Sequence, residues 1–275
     1  MISIPTQQRF SVFAAGASAS YRDASKNQDA VRPGGVHGGQ GAYAVVCDGV
    51  GAQPESGPVA RDVATMLADQ LTDFGVLHPA RWLSEVAERY ARRDADEPRD
   101  GSTTAVVVGA DSHGERRYAL AGNGCVLNVE GIPLNGSYRI QWASLALPHI
   151  TYASGPPALR SFIPMSSAQP DVTSGSLDPP MGMSLLIAGS DGFMSEEERR
   201  VGRSGGERWV QTPKPVVAVE ELLTTIWGDL LTVPEPGELL SVELQAVLDG
   251  LAADNVLDDD TTVGAVIVRP AGTAG

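Results

Sequence analysis

The chain has 275 residues, of which 42% are hydrophobic and 20% charged, with a net charge of −14 and a pI near 4.6. That composition belongs to a soluble globular protein with enough apolar residues for a sizeable core, arranged as one large domain or two small ones. The negative charge excludes nucleic acid and anionic membranes, which select basic surfaces, and would repel a highly phosphorylated ligand unless bound cations reversed the local field.

In chain order, residues 9–17 read as a first strand with Phe10, Val12 and Phe13 as its apolar content. Residues 17–40 are rich in Ser, Gly and Arg and read as a loop around Asn27-Gln28-Asp29. A second strand follows at 42–47. Pro54-Glu55-Ser56-Gly57 opens a helix in which Val59, Val63, Met66, Leu67, Leu71 and Phe74 recur at three- and four-residue steps, the stripe of an amphipathic helix. Residues 79–93 predict a second helix, with Trp82, Leu83, Val86 and Tyr90 on its buried side. A charged stretch broken at Pro98 leads to Gly101-Ser102-Thr103-Thr104 and a β-branched run to Val108. Strands at 117–120 and 125–129 flank Gly122-Asn123-Gly124, which reads as a hairpin turn.

From 131 to 180 Pro, Ser and Gly are frequent, and irregular structure is expected there with one strand near 138–142. The apolar run 184–189 is a strand. The acidic turn Ser195-Glu196-Glu197-Glu198 suits a helix start by complementing the macrodipole. Two helices are expected near 217–231 and 237–253, and a last strand at 261–268. Short links between strands outnumber crossover units, so α+β with antiparallel sheets fits better than a doubly wound sheet.

Cys47 and Cys125 have apolar neighbours and are expected buried and reduced. His37, His78, His113 and His149 are scattered, without zinc-ligand spacing, and are expected at the surface or in loops. Trp82 and Trp227 are expected in the core. No basic stretch followed by an apolar core opens the sequence, and no run reaches membrane-spanning length, so a cytoplasmic location and a monomer are expected.

Three acidic motifs sit at the edges of apolar runs. The 42–47 strand leads into Asp48-Gly49-Val50-Gly51, the 184–189 strand into Ser190-Asp191-Gly192, and Asp259-Asp260-Thr261-Thr262 opens the last strand. Singly, an Asp-Gly pair is a common turn. Together, carboxylates fixed at strand ends and open to one cleft repel one another unless cations sit between them, which is what a hard-metal site needs. Asp258 is the one-residue register alternative to Asp259.

These motifs, with Asn27-Gln28-Asp29 and Gly101-Ser102-Thr103-Thr104 and in this order, resemble the metal-dependent Ser/Thr phosphatases of the protein phosphatase 2C type, the PPM family, in bacterial-like form. The resemblance spans about residues 8–268, so residues 1–275 are read as one phosphatase-like domain with an atypical segment at 131–180. It implies a four-layer α-β-β-α sandwich, two central antiparallel sheets flanked by helices, with two Mn²⁺ or Mg²⁺ ions in a cleft at one end. By motif, Asp48 would bridge the ions and the Gly49 carbonyl would ligate one of them. Asp191 and Asp259 would complete the other, and Asp29 would act through water. The expected reaction is phosphomonoester hydrolysis by a hydroxide bridging the ions, which attacks phosphorus with no protein nucleophile.

The pattern has departures. Val50 stands where animal members carry a histidine proposed as general acid. Ala24 stands where many members grip phosphate with arginine, and Arg22 is the nearby substitute. Gln28 replaces a frequent glutamate. Asn123 replaces an aspartate, and Ser195 stands at an acidic position of the same weak third metal site, so that site is expected to be absent or very weak. The expected substrate is phosphoserine or phosphothreonine in a protein. A phosphorylated small molecule, or a catalytically weak regulatory binding module, is the alternative.

Overall fold

A computed structural model of the chain describes residues 9–21, 23–51, 53–96, 100–151, 158–164, 169–194, 198–201, 207–210 and 215–272. In chain order the strands are β1 Phe10–Ala19, β2 Ala30–Gly35, β3 Gly41–Cys47, β4 Ala105–Asp111, β5 Arg116–Ala121, β6 Cys125–Leu134, β7 Ser137–Ser144, β8 Ile150–Thr151, β9 Ala158–Leu159, β10 Thr173–Leu177, β11 Ser184–Gly189, β12 Glu198–Val201, β13 Glu207–Val210 and β14 Thr261–Pro270. The helices are α1 Ser56–Phe74 and α2 Pro79–Asp96, between β3 and β4, and α3 Pro215–Thr232 and α4 Pro236–Ala253, before β14.

Two five-stranded antiparallel sheets form the centre, one ordered β1-β14-β11-β6-β7 and the other β10-β5-β4-β3-β2. Three apolar layers bind the four structural layers together. Between the sheets lie Ala44, Val46, Val106, Val108, Leu120, Leu186, Val266 and Val268. The opposite faces of the same strands meet helices. Val45, Val107 and Ala119 pack with Val63, Leu67, Leu83 and Tyr90 of α1 and α2. Leu127, Leu185, Ile187 and Ile267 pack with Leu223, Trp227, Leu240 and Leu244 of α3 and α4. A strand covered on both faces has no polar side to show, so 42–47, 184–189 and 261–268 read as unbroken apolar runs rather than alternations.

The four helices fall where the periodicity puts them. Arg269 fastens α3 to the sheet: its Nη1 donates to the carbonyls of Leu230 (3.1 Å), Leu231 (3.1 Å) and Val233 (2.8 Å), and its guanidinium lies 5.2 Å from the Phe13 ring centroid. A cation on the open carbonyls of a helix C-terminus satisfies them and the helix dipole together.

Four local expectations are corrected. The 17–40 stretch is not all loop, because β2 lies within it as an edge strand, a place that tolerates Pro33. β5 and β6 do not form a hairpin. They belong to different sheets, and Gly122-Asn123-Gly124 carries the chain from one to the other. The 131–180 segment is more regular than expected: β6 and β7 pair around a two-residue turn at Asn135 (φ 50°) and Gly136 (φ 84°), a conformation Asn-Gly adopts readily. Residues 198–201 pair with 207–210 as strands rather than starting a helix, while 195–197 lie outside the described residues.

Gly131 on β6 lies directly under the indole of Trp227, where an added Cβ would come within 2.4 Å of the ring. Trp227→Ala should destabilise the fold by about 3–5 kcal/mol through the cavity it leaves. Gly131→Ala should also destabilise the wild type but cost less in the Trp227→Ala background. Chemical denaturation of the four proteins of that double-mutant cycle measures the coupling.

Candidate metal centre

The acidic motifs meet at one end of the sandwich, where a cleft of about 580 Å³ is lined by Asp48, Gly49, Val50, Asp191, Asp259 and Asp260, with Tyr21, Lys26, Gln28, Asn123 and Leu159 around them. Asp48 follows the last residue of β3, Asp191 the end of β11, and Asp259 and Asp260 precede β14. β14 pairs with β11, whereas β3 lies in the opposite sheet, so the cleft opens where the ends of both sheets face each other.

The glycines after the two aspartates are there for close approach. A Cβ on Gly49 would sit 2.8 Å from the Gln28 side chain and 2.9 Å from its carbonyl oxygen. A Cβ on Gly192 would sit 2.3 Å from the Asp260 carbonyl oxygen. Each Asp-Gly pair thus lets another acidic motif press against it. The Gly101-Ser102-Thr103-Thr104 motif holds the Asp48 backbone. Thr104 N donates to Asp48 O (2.8 Å), Thr103 Oγ1 donates to the same oxygen (2.8 Å), and Val50 N donates to Ser102 O (2.8 Å). Gly49 stands opposite Thr103 in this bridge, and because the flanking residues make its bonds, the Gly49 carbonyl is not committed to Thr103.

Each carboxylate is positioned differently. Asp191 Oδ2 accepts from Asn123 Nδ2 at 2.6 Å, and its turn is set by Ser190 N on Thr262 O (3.0 Å) and Thr262 N on Ser190 Oγ (3.0 Å). Asp259 Oδ1 accepts from the Asp260 amide (2.8 Å) while the residue lines the cleft; Asp258 is exposed and is not among the lining residues. Asp260 is buried and organises the loop between β1 and β2: it accepts from Ser20 Oγ (2.7 Å), Tyr21 N (3.3 Å) and Gln28 N (2.8 Å). The sequence reading missed this role, since nothing in a run of three aspartates marks the middle of the motif from its edge.

Asp29 is not in the cleft wall. It is buried, and neither carboxyl oxygen meets a well-formed hydrogen bond. Ser190, Thr262 and Asp48 are its polar neighbours, but the Thr262 hydroxyl is 2.6 Å from Ser18 Oγ and Ser190 Oγ is directed at backbone groups. Burial, reinforced by the charge of Asp260, pushes the Asp29 carboxyl up to about 8. Burial likewise holds Asp48 well above the usual carboxylate range, helped by the charges of Asp29 and Asp191. Asp48 and Asp29 cannot both ionise cheaply beside Asp191 without a cation. Asp48, Asp191, Asp259 and the Gly49 carbonyl are hard oxygen donors of the kind Mg²⁺ and Mn²⁺ take. Among the described residues no three His, Cys, Asp or Glu side chains close into a ready-made cage.

Other expectations are resolved here. Both cysteines are buried, and burial raises their thiols, that of Cys125 to about 12, so neither is a ready nucleophile. His149 is not a surface residue: it is 5% exposed, with its ring between Gly122 N and Thr173 Oγ1. Arg22 and Ser195 lie outside the described residues.

No protein-family model matches the sequence, and no curated protein matches it at a significant level. Solved structures do match its fold. A serine/threonine phosphatase of S. agalactiae superposes with a TM-score of 0.59 at 15% identity, covering 93% of this chain and 98% of the other. The PPM Ser-Thr phosphatase MsPP of Mycobacterium smegmatis, in complex with cacodylate, gives 0.58 at 18%, covering 94% and 97%. The catalytic domain of the serine threonine protein phosphatase PstP, in complex with two manganese ions, gives 0.57 at 15%, covering 94% and 99%. The chain therefore has the fold of these phosphatases over nearly its whole length, as the α-β-β-α expectation required.

A carboxyl that holds its proton more tightly when folded stabilises the protein below its unfolded pKa of about 4 and loses that contribution as pH rises through the folded value. In metal-free protein the Asp29 contribution should fall between about pH 4 and 8. Asp29→Asn should therefore raise the melting temperature at pH 8 by several degrees and leave it unchanged near pH 4, measured by thermal melts in EDTA.

Proposed function

We propose that the chain is a metal-dependent phosphatase that hydrolyses phosphomonoesters, with phosphoserine or phosphothreonine in proteins as its substrate class. The observation that carries this reading is the meeting of Asp48, Gly49, Asp191 and Asp259, from distant stretches of sequence, on one cleft of the sandwich. Its fold is that of enzymes described as Ser/Thr phosphatases, one of them holding two manganese ions.

Asp48, the Gly49 carbonyl, Asp191 and Asp259 would hold two Mn²⁺ or Mg²⁺ ions, while Asp29, expected to act through water, lies buried behind the cleft wall and would act through its neighbour Asp48. Such ions acidify water and offset charge on a phosphoryl group. The chain's own residues do the rest. Asp48, whose proton affinity is raised by burial and by the charges of Asp29 and Asp191, would be favoured in its ionised form by a neighbouring cation. Asn123 fixes Asp191 through one oxygen, and Asp260 keeps the Ser20–Gln28 loop against the cleft. Val50 has no proton to give, so it cannot protonate the leaving group as the histidine proposed at that position in animal members would.

Among the described residues lining the cleft Lys26 is the one basic side chain, and it is exposed at the end of a short turn. It joins Arg22, which lies outside the described residues, as a cation proposed to meet substrate phosphate. Tyr21, Val50 and Leu159 give the rim an apolar side suited to a peptide flanking the phosphate. Among the described residues no helix is long and apolar enough to cross a membrane. The proposed enzyme is cytoplasmic and monomeric.

Wild-type protein should hydrolyse an aryl phosphate only with Mn²⁺ or Mg²⁺. Asp48→Asn and Asp191→Asn should each lose at least about 100-fold in kcat. Wild-type turnover no higher than theirs at any metal concentration would defeat the enzyme reading in favour of a binding module. A kcat/KM comparison of phosphopeptides with phosphorylated metabolites separates the two substrate classes. Lys26→Ala should raise KM about tenfold, with kcat within about twofold of wild type, as expected for a contact made equally in ground and transition states.

A further inference from the structure

We propose that His149 is a positioning residue for the metal-ligand carboxylate of Asp191, acting through Gly122 and Asn123. This rests on the metal-dependent reading above. His149 clasps Gly122 on both sides: its backbone N–H donates to Gly122 O (2.7 Å), and its ring Nδ1 accepts from Gly122 N–H (3.2 Å). An amide nitrogen can only donate, so Nδ1 carries no proton and Nε2–H donates to Thr173 Oγ1 (2.8 Å). The ring is therefore neutral, with its tautomer fixed.

Gly122 needs the clasp. Its φ is +123°, and a Cβ there would lie 2.4 Å from Thr104 Cβ, so only glycine fits and no side chain steadies it. The next residue, Asn123, spends its Nδ2 on Asp191 Oδ2 at 2.6 Å, while its buried Oδ1 has no hydrogen-bond partner. Among the described residues the amide head has no second hydrogen bond, so its direction rests on the backbone that carries it, which Gly122 sets. The chain around His149 is tied to the opposite side of the site as well. Arg160 N donates to His149 O (2.8 Å), and three residues on Ile163 exchanges two backbone bonds with Thr103, whose hydroxyl holds the Asp48 carbonyl. Leu159, beside Arg160, lines the cleft. The part of the chain that forms the substrate rim is thus clipped to the backbone that orients each of two metal-ligand aspartates.

Two substitutions divide the ring's two contacts. In His149→Asn the side-chain oxygen can replace Nδ1 as acceptor from Gly122 N–H, while the reach to Thr173 is lost. In His149→Gln the longer amide reaches Thr173, while the Gly122 acceptor is lost. With Mn²⁺ as the probe, calorimetric titration of the full chain should give about a tenfold weaker Kd for His149→Gln, the size of effect typical for the groups that orient metal ligands, and a Kd within about threefold of wild type for His149→Asn. A merely structural histidine would make the two variants equal, and that result, or the reverse order, overturns the proposal. The Asn123 side-chain amide signals in NMR spectra of metal-free protein give a second reading, independent of metal uptake. They should shift in His149→Gln and stay in place in His149→Asn; signals unmoved in His149→Gln would overturn the role. If wild-type protein took up no Mn²⁺, the phosphatase reading would fall, and the NMR comparison would still decide whether His149 orients Asn123.

Discussion

Repulsion among carboxylates crowded onto one cleft and its floor is the constraint on which the rest of this structure depends. Asp29 is buried and Asp48 half-buried within reach of each other, with Asp191 and Asp260 nearby, and crowding with partial loss of water raises the proton affinity of both. Protonation can relieve that repulsion, and so can a multivalent cation. Protonation gives an inert, neutral cluster, whereas a cation gives an electrophilic centre. The protein has accepted a locally destabilising cluster, and such a cluster is informative about function because a sandwich of this kind has no structural need for it.

The scaffold makes the concentration of charge possible. Two sheets sharing a dry interior fix the ends of β3, β11 and β14 relative to one another, and each end delivers an aspartate to the same cleft. Packing at the site is then set by glycines and hydroxyls. Gly49 and Gly192 let acidic motifs press together, while Thr103, Thr104 and Ser190 hold the backbones that carry Asp48 and Asp191. The side chains above them are held as well, Asp191 by Asn123 and Asp259 by the Asp260 amide, each through one carboxylate oxygen.

Electrostatics also limits what can enter. With a net charge of −14, the protein as a whole repels an anionic substrate, and Lys26 is the one basic side chain among the described residues of the cleft lining. Cations held in the cleft would add attraction, so metal occupancy would bear on substrate capture as well as chemistry. Tyr21, Val50 and Leu159 add apolar surface to the cleft, which under the proposed function would meet the part of a substrate beyond the phosphate.

The elements whose own residues carry a strong period or a two-sided apolar run were legible from the sequence: α1 to α4, β3, β11 and β14. So were Asp48, Asp191 and Asp259, because a carboxylate at the end of such a run has few other places to go. What the sequence could not convey was partnership. Gly122-Asn123-Gly124 has the composition of a hairpin turn, and only the assignment of β5 and β6 to different sheets makes it a crossing. His149 carries no local mark of burial, since its partners Gly122 and Thr173 are each more than twenty residues away. Asp258, Asp259 and Asp260 are chemically identical, and their division into a solvent-facing residue, a cleft residue and a buried organiser follows from the register of β14 against β1 and β11. Local pattern determined which segments fold and which carry charge. The tertiary structure decided which charges meet, because that depends on contacts between residues the chain brings together only when both sheets have formed.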